Sequence, residues 1–141
     1  MIIMAIDYGD VRTGIAVCDK FEMLASPVCV ITERNQDKVI EKISKLASEH
    51  RTERFVVGLP KNMDSSVGDR AVKCSEFAKK LSEVTGIESV MRDERLSTVS
   101  AHNVLNSTNT RGKKRKSVVD QVAAVMILQD YIDFRKNNII K

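Results

Sequence analysis

The sequence predicts a single α/β domain with a mixed five-stranded sheet and helices on both faces of that sheet. Its length of 141 residues is that of one domain. Three short apolar runs follow one another within residues 2–32 with only turns between them, which predicts antiparallel strands joined by hairpins. After residue 35, apolar runs alternate with amphipathic helical patterns, which predicts βαβ crossovers. Together these connections combine antiparallel and parallel strands in one sheet.

The predicted strands are short apolar or β-branched runs that stop at turn residues. The first ends at an Asp-Tyr-Gly-Asp turn, and the second follows so closely that the two should form a hairpin. Pro27 favours an edge position, or the start of the strand, for the third. The five predicted strands are residues 2–6, 13–18, 25–32, 54–60 and 87–91.

Helices are predicted where apolar residues recur at intervals of three and four positions. Gly86 marks the end of the second helix, and Ser97 or Thr98 can cap the third. The predicted helices are residues 35–50, 70–85, 97–105 and 117–134. The polar stretch 61–69 is predicted to be a loop, the basic stretch 106–116 a mobile loop, and residues 135–141 a short tail.

Composition favours an ordinary soluble protein of the cytoplasm. Apolar residues make up 43% of the chain and charged residues 30%. The longest apolar stretch, Val122 to Leu128, has seven residues, whereas a membrane span needs about 20. The N-terminus lacks the basic region and cleavage site of a signal peptide. Cys18, Cys29 and Cys74 form no CxxC pair, so we expect buried, reduced thiols.

The positive charge of the chain is concentrated in one short segment. The net charge is +4, but without the five cations of residues 111–116 it is −1. Such a segment can bind a polyanion such as nucleic acid, although exposed cations can also serve solubility alone. The five cations are Arg111, Lys113, Lys114, Arg115 and Lys116.

Three carboxylates occupy positions where α/β proteins bind ligands. Asp7 follows the first strand, Glu94 follows the last strand, and Asp120 lies in the first turn of the last helix. Converging carboxylates repel one another unless a cation neutralises them, and Mg²⁺ prefers oxygen ligands. Two such ions could hold a scissile phosphate for attack by water. The three acids therefore form a candidate metal site.

Each of these acids also has a structural interpretation. Asp7 can cap the hairpin turn, and Glu94 can form an ion pair with Arg92 or Arg95. Asp120 fits a capping box that begins at Ser117. The capping and metal-binding roles of Asp120 do not exclude each other.

Four ordered motifs lie along this chain, in residues 7–16, 58–65, 93–98 and 120–128. The first resembles a DYGxxRxGxA opening, and the second a GLPxNMDG loop. The third resembles a DERLTT segment, and the fourth a DxxAAxxIL helix. Together they resemble the YqgF-like (RuvX) family, which is associated with pre-16S rRNA processing and related to Holliday-junction resolvases, and the resemblance spans nearly the whole chain.

The resemblance implies an RNase H-like nuclease domain over residues 1–141, with Mg²⁺ or Mn²⁺ as cofactor. It implies a catalytic, metal-binding trio on Asp7, Glu94 and Asp120. It also implies nucleic-acid contacts, for which we take the five cations of residues 111–116 together with Tyr8, Arg12, Asn62, Asp64, Arg70 and Arg95.

The chain departs from the family pattern at two positions and carries one extra acid. Ser65 replaces a usual glycine, which would be strained if the backbone there needs a positive φ. Ser97 replaces a usual threonine and keeps the hydroxyl. Asp10 is an additional acid in the first turn, which can join the metal site but is expected to face water. None of these changes removes a predicted ligand.

The expected function is that of a two-metal-ion endonuclease that processes the 5′ end of pre-16S rRNA. One alternative is a nuclease that resolves DNA junctions, which would require a symmetric dimer. Another is an RNA-binding assembly factor without catalysis, and a third is an ATPase of the actin-like kinase type, for which 141 residues are too few to form the second lobe. The expected partners are structured RNA and ribosomal particles, with no membrane, and the chain is expected to be a monomer or weak dimer.

Overall fold

The computed structural model describes the backbone of residues 1–59, 69–93 and 112–140, and the side chains of residues 1–58, 71–92 and 122–136. Five strands and three helices lie within this part of the chain. The strands are β1 (Ile3–Asp7), β2 (Arg12–Cys18), β3 (Ala25–Thr32), β4 (Arg54–Leu59) and β5 (Glu88–Asp93). The helices are α1 (Gln36–Glu49), α2 (Asp69–Thr85) and α3 (Gly112–Ile140).

The strands form one mixed sheet in the order β3-β2-β1-β4-β5. β1 pairs with β2, and β2 with β3, in antiparallel fashion. β1 pairs with β4, and β4 with β5, in parallel fashion. The predicted combination of hairpins followed by crossovers is therefore confirmed, and β1 is the central strand.

Alternating side chains of β1 pack against helices on opposite faces of the sheet. Met4 and Ile6 join Phe55 and Phe77 in one core, which contains the apolar side of α1 and part of α2. Ile3 and Ala5 join a second core, which contains the apolar side of α3. This period of two is the one that extended backbone imposes. We call the two faces of the sheet the α1/α2 face and the α3 face.

The first helix, predicted over residues 35–50, is confirmed to within one residue at each end. The Asn35 side chain accepts hydrogen bonds from the backbone N–H groups of Asp37 and Lys38. Val39, Ile40, Ile43 and Ala47 are buried at the expected spacing.

No helix in the described parts of the chain is both long and apolar enough to cross a membrane.

The prediction for the C-terminal region is wrong at both ends of the last helix. Residues 112–116, predicted as part of a mobile loop, are the first turn of α3, and the helix continues to Ile140 through the predicted tail. Lysine and arginine are strong helix formers, so their polarity does not prevent a helix that is continuous with a buried segment. The predicted helix 97–105 and most of the predicted loop 61–69 lie outside the described residues.

Candidate functional site

Asp7 lies at the end of the central strand, where the sheet brings functional side chains together. Ile3, Met4, Ala5 and Ile6 before it are fully buried, whereas Asp7 is half-buried. Since Ile3 and Ala5 belong to the α3 face, strand alternation directs the Asp7 side chain to that face as well. The carboxylate thus lies at the carboxyl end of β1, on the α3 face of the sheet.

A glycine on each neighbouring strand flanks Asp7. Asp7 pairs with Gly14 of β2, and because Ile6 pairs with Val57, the next residue of β4 beside Asp7 is Gly58. Both glycines are buried. Gly14 is two residues from Ala16, and Gly58 is two residues from Val56, so both glycines lie on the α3 face with these residues. Beside the Asp7 carboxylate, therefore, the two neighbouring strands contribute no side chain to this face.

The turn that follows Asp7 is held by short-range contacts. The Gly9 backbone N–H donates to Thr13 Oγ1 at 3.5 Å, and Thr13 is fully buried. The Glu33 N–H donates to the carbonyl of Val11 at 2.8 Å, so the end of β3 also supports this turn. These contacts fix the direction in which β1 ends.

Arg12, a predicted nucleic-acid contact, begins β2 on the same face as Asp7. It precedes Gly14 by two residues, and it is half-buried. Two positions along a strand return a side chain to the same face. The structure therefore brings a guanidinium group to the end of the sheet that carries Asp7.

Tyr8 and Asp10 are placed elsewhere. The Tyr8 ring stacks on Phe77 with centroids 4.0 Å apart and an interplanar angle of 8°. Gln36 Nε2 donates to the Tyr8 hydroxyl at 3.4 Å, so one side of Tyr8 belongs to the core of the α1/α2 face. Asp10 is exposed, as expected, and lies 3.9 Å from Lys73 Nζ. The nucleic-acid role of Tyr8 stays a prediction.

On β5, Arg92 lies beside Gly58 on the α3 face. Its Nε donates to Asp130 of α3 at 2.7 Å, and its guanidinium lies 4.6 Å from the centroid of the Phe134 ring. Arg92 was one of two arginines considered as ion-pair partners for Glu94; the structure shows it paired with Asp130, and Glu94 lies outside the described residues. Sequence reasoning missed this pair, because nothing in the spacing relates residue 92 to residue 130.

Helix α3 is anchored to the sheet at the level where β1 begins. Gln129 Oε1 accepts from the Ala25 N–H at 3.1 Å, and Arg54 Nη1 donates to the Tyr131 hydroxyl at 3.1 Å. Arg54 pairs with Ile3 in the sheet. Among the described side chains of α3 that precede these anchors, residues 122–128, four are buried: Ala123, Ala124, Ile127 and Leu128.

The remaining predicted site residues are not described, or only their backbone is. Asp120, Arg70 and the four cations of residues 113–116 lie in helices α3 and α2, with backbone positions alone. Within the described side chains, no three His, Cys, Asp or Glu residues are grouped closely enough to hold a metal ion. The metal trio therefore stays a prediction. The residues outside the described ranges are Glu94, Asn62, Asp64, Arg95 and Arg111.

The cysteines do not contribute to this site. None forms a disulfide; Cys18 and Cys74 are buried, and Cys29 is half-buried. Burial raises the pKa of the Cys18 and Cys29 thiols. A raised pKa keeps a thiol protonated at neutral pH and makes it a poor nucleophile. The expectation of reduced thiols agrees with this arrangement.

The sheet order and the helices on both faces define an RNase H-like α/β protein of the kind found in RuvC resolvases. RuvC of T. thermophilus, solved in complex with a Holliday junction substrate, is 12% identical over 97% of this chain and 96% of its own, with a TM-score of 0.62. The fowlpox virus Holliday junction resolvase is 12% identical over 95% of this chain and 99% of its own, with a TM-score of 0.55.

Residues 1–134 match the model of the RuvX family, described as Holliday junction resolvase, and the chain belongs to that family. A relative from Halothermothrix orenii is 42% identical over 96% of this chain and 96% of its own. One from Acetivibrio thermocellus is 42% identical over 94% of this chain and 96% of its own. Both carry the name "Putative pre-16S rRNA nuclease". The family and fold predictions are thus confirmed.

Proposed function

We propose that this chain is a metal-dependent endonuclease that cleaves phosphodiester bonds in structured RNA and processes the 5′ end of pre-16S rRNA. The observation that carries the proposal is the position of Asp7. It ends the central strand between two glycines, on the face covered by α3, the helix that contains Asp120. Membership of the RuvX family and the names of its relatives support the substrate class. An rRNA-processing role would place the chain in the cytoplasm.

The geometry of α3 supports a site shared by Asp7 and Asp120. Asp120 precedes the anchor at Gln129 by nine residues, or about 14 Å along the helix. Ile3 and Asp7 are four residues, or about 13 Å, apart along β1. Gln129 is anchored at the level of Ile3, and these similar lengths support a site shared by Asp7 and Asp120.

Strand alternation supports the inclusion of Glu94. Val90 packs in the core of the α3 face, and Arg92 bonds to Asp130 of α3. Glu94 follows β5 directly and continues the same alternation as Val90 and Arg92. Strand β4, with Gly58, lies between β5 and β1. We therefore propose that Asp7, Glu94 and Asp120 form one acidic site at this end of the sheet.

The donor set and the space fit divalent metal ions. Carboxylate oxygens are preferred ligands of Mg²⁺ and Mn²⁺, and the glycines beside Asp7 place no side chain next to its carboxylate on this face. Bound ions would supply Lewis-acid activation of water and neutralise charge on the phosphate. The three carboxylates would hold them in place. Arg12, on the same face, would bind a phosphate next to the cleaved one.

Cleavage of DNA junctions is the second candidate function. It is favoured by the description of the RuvX family and by the fold shared with RuvC. The two substrates make different demands, because a junction must be cut on two strands by a two-fold symmetric pair of subunits. A chain that cuts RNA as a monomer needs no such symmetry.

The decisive experiment compares Asp7→Asn with Asp10→Asn on both substrates. Asp10 is a matched control because it is an exposed acid three residues away whose neighbour is Lys73. Purified protein is incubated with Mg²⁺ or Mn²⁺ and either a labelled rRNA precursor with its 5′ extension or a four-way DNA junction. We expect metal-dependent cleavage of the RNA, lowered at least about 100-fold by Asp7→Asn and nearly unchanged by Asp10→Asn.

Other outcomes would contradict the proposal in distinguishable ways. Cleavage of the junction alone would transfer the assignment to DNA. RNA binding without cleavage, equal in all three proteins, would leave an assembly factor. Equal loss of cleavage in both variants would show that the carboxylate of Asp7 has no special role.

A further inference from the structure

Three large apolar side chains are exposed on the turn between β2 and β3. Phe21 is 71% exposed, Met23 56% and Leu24 64%, and all three lie within four consecutive positions. Single exposed apolar residues are ordinary on protein surfaces, whereas a group of them marks an interaction site. The turn lies at the end of the sheet opposite Asp7, since β2 reaches it at Cys18, beside the start of β1.

One carboxylate organises the backbone of the turn. Asp19 accepts hydrogen bonds from three backbone N–H groups, those of Phe21 at 3.2 Å, Met23 at 2.8 Å and Leu24 at 3.0 Å. These bonds lower the pKa of the Asp19 carboxyl group. In addition, the backbone carbonyl of Asp19 accepts a hydrogen bond from the Glu22 N–H at 3.0 Å.

Side chains of helix α3 form hydrogen bonds to the same turn. Glu22 adopts a left-handed backbone with φ of 55°, and its carboxylate accepts from Arg135 Nε at 2.6 Å. Gln129 Nε2 donates to the Met23 carbonyl at 3.5 Å. A turn fixed in this way loses little conformational entropy when a partner binds, which favours affinity.

Two lysines lie directly against the exposed side chains. Lys20 Nζ lies 5.1 Å from the centroid of the Phe21 ring, and Lys136 Nζ lies 3.3 Å from Met23 Sδ. Of the carboxylates near the turn, Glu22 is paired with Arg135, Asp19 accepts from the backbone, and Asp133 of α3 accepts from Gln129 Nε2 at 3.1 Å. The surface therefore presents apolar groups bordered by two lysines that form no ion pair with the described side chains.

We propose that residues 19–24 and Lys136 form a docking surface for a partner protein that presents an acidic segment with apolar side chains. Charge complementarity identifies the partner. A two-fold contact with a second copy of this chain would gather four lysines, Lys20 and Lys136 of each copy, in one small interface, which is unfavourable. Single-stranded RNA would stack on aromatic rings, and here Phe21 is accompanied by Met23 and Leu24, which offer no ring. Because Asp7 lies at the other end of the sheet, partner and nucleic acid can bind together.

The test selects short random peptides displayed on phage against the full chain, with counter-selection against Phe21→Ser/Leu24→Ser. Val84→Ser is the matched control, because Val84 is an apolar residue of α2 with 58% exposure. The enriched peptides are synthesised, and their affinity is measured by calorimetry at two salt concentrations. Thermal unfolding of each variant shows whether it is folded.

We expect enriched peptides that combine Asp or Glu with apolar residues and bind more weakly at high salt. Their affinity should fall at least about tenfold in Phe21→Ser/Leu24→Ser, fall also in Lys20→Glu/Lys136→Glu, and stay the same in Val84→Ser. Basic or random peptides, or equal affinity for all variants, would overturn the proposal. Self-association or RNA binding that disappears with Phe21→Ser/Leu24→Ser would overturn it too, in favour of a second copy or of RNA.

Discussion

At the scale of single residues, the environment of Asp7 depends on what its neighbours lack. Gly14 and Gly58 stand on either side of it, where any other residue would direct a side chain to the same face. The position of Asp7 after an apolar strand was predictable from the sequence. The position of Gly14 and Gly58 beside Asp7 was not predictable. These glycines are 7 and 51 positions from Asp7 in the chain, and their placement depends on the register of three strands.

Two glycine substitutions should separate cleavage from stability. Gly58→Ala adds a methyl group beside Asp7, so we expect cleavage to fall at least about tenfold while stability changes by no more than about 1 kcal/mol. Gly86→Ala places a side chain at a φ of +73°, so we expect a loss of about 1 kcal/mol in stability and unchanged cleavage by the folded protein. Urea unfolding and initial cleavage rates of both variants check this.

The opposite pattern would contradict the role given to Gly58. If Gly58→Ala unfolds the protein and leaves the cleavage rate of the folded fraction unchanged, the glycine serves the packing of α3 on the sheet. Gly86 has no atom within 4 Å of an added Cβ, so its substitution tests backbone strain alone.

At the scale of elements, α3 connects the two ends of the molecule. Its Arg135 bonds to Glu22 of the β2–β3 turn, its Tyr131 to Arg54 of β4, and its backbone continues to Gly112. The buried part of this helix was predictable from its apolar residues. The polar start of the helix was not predictable. A helix is recognised by apolar residues that recur along its buried side, and residues 112–116 contain no apolar side chain.

The ion pair between Glu22 and Arg135 should make stability depend on pH. The Arg135 hydrogen bond holds the pKa of the Glu22 carboxyl below its ordinary value of 4.5. A carboxylate with a lowered native pKa stabilises the fold fully above its unfolded pKa, and that contribution is lost as pH falls through the native pKa. We therefore expect Glu22→Gln to lower the free energy of unfolding by about 1 kcal/mol at pH 7 and by much less in acid.

Urea titrations at a series of pH values from 3 to 7 measure this difference, with the range set by the ordinary carboxyl pKa of about 4. Glu83→Gln is the matched control, because Glu83 is an exposed acid on α2. A constant difference between wild type and Glu22→Gln across this range would show that the loss comes from packing and not from charge.

At the scale of the whole molecule, two cores share one sheet, and the net charge comes from one segment. The hairpins, the crossovers and the placement of helices on both faces follow from the order of apolar runs in the chain, whereas the order of the strands in the sheet was not predicted. The contact between Arg92 and Asp130, by contrast, depends on how α3 crosses the sheet, and no local pattern encodes a crossing angle.

Nucleic-acid affinity should depend steeply on salt if the basic segment binds phosphates. Each neutralised phosphate releases counterions, so five contacts to a duplex give a slope of about −4.5 for log affinity against log salt. Replacing Lys113, Lys114 and Lys116 by Gln should reduce the slope by about 2.7. Filter binding of the precursor RNA with an Asp7→Asn protein, which prevents cleavage, measures both. A slope that the triple variant leaves unchanged would place the phosphate contacts elsewhere.

The core on the α3 face also sets the order of events during synthesis. Ile3 and Ile127 belong to the same core, yet 124 positions separate them in the chain. At a ribosomal rate of about 5–20 residues per second, about 6–25 s pass between the appearance of the first and of the second. During that interval the apolar side of β1 has no helix to cover it. We therefore expect chaperones to bind the nascent chain until α3 emerges, and mutations that weaken α3 should lower its yield in the cell before they affect the activity of the molecules that fold.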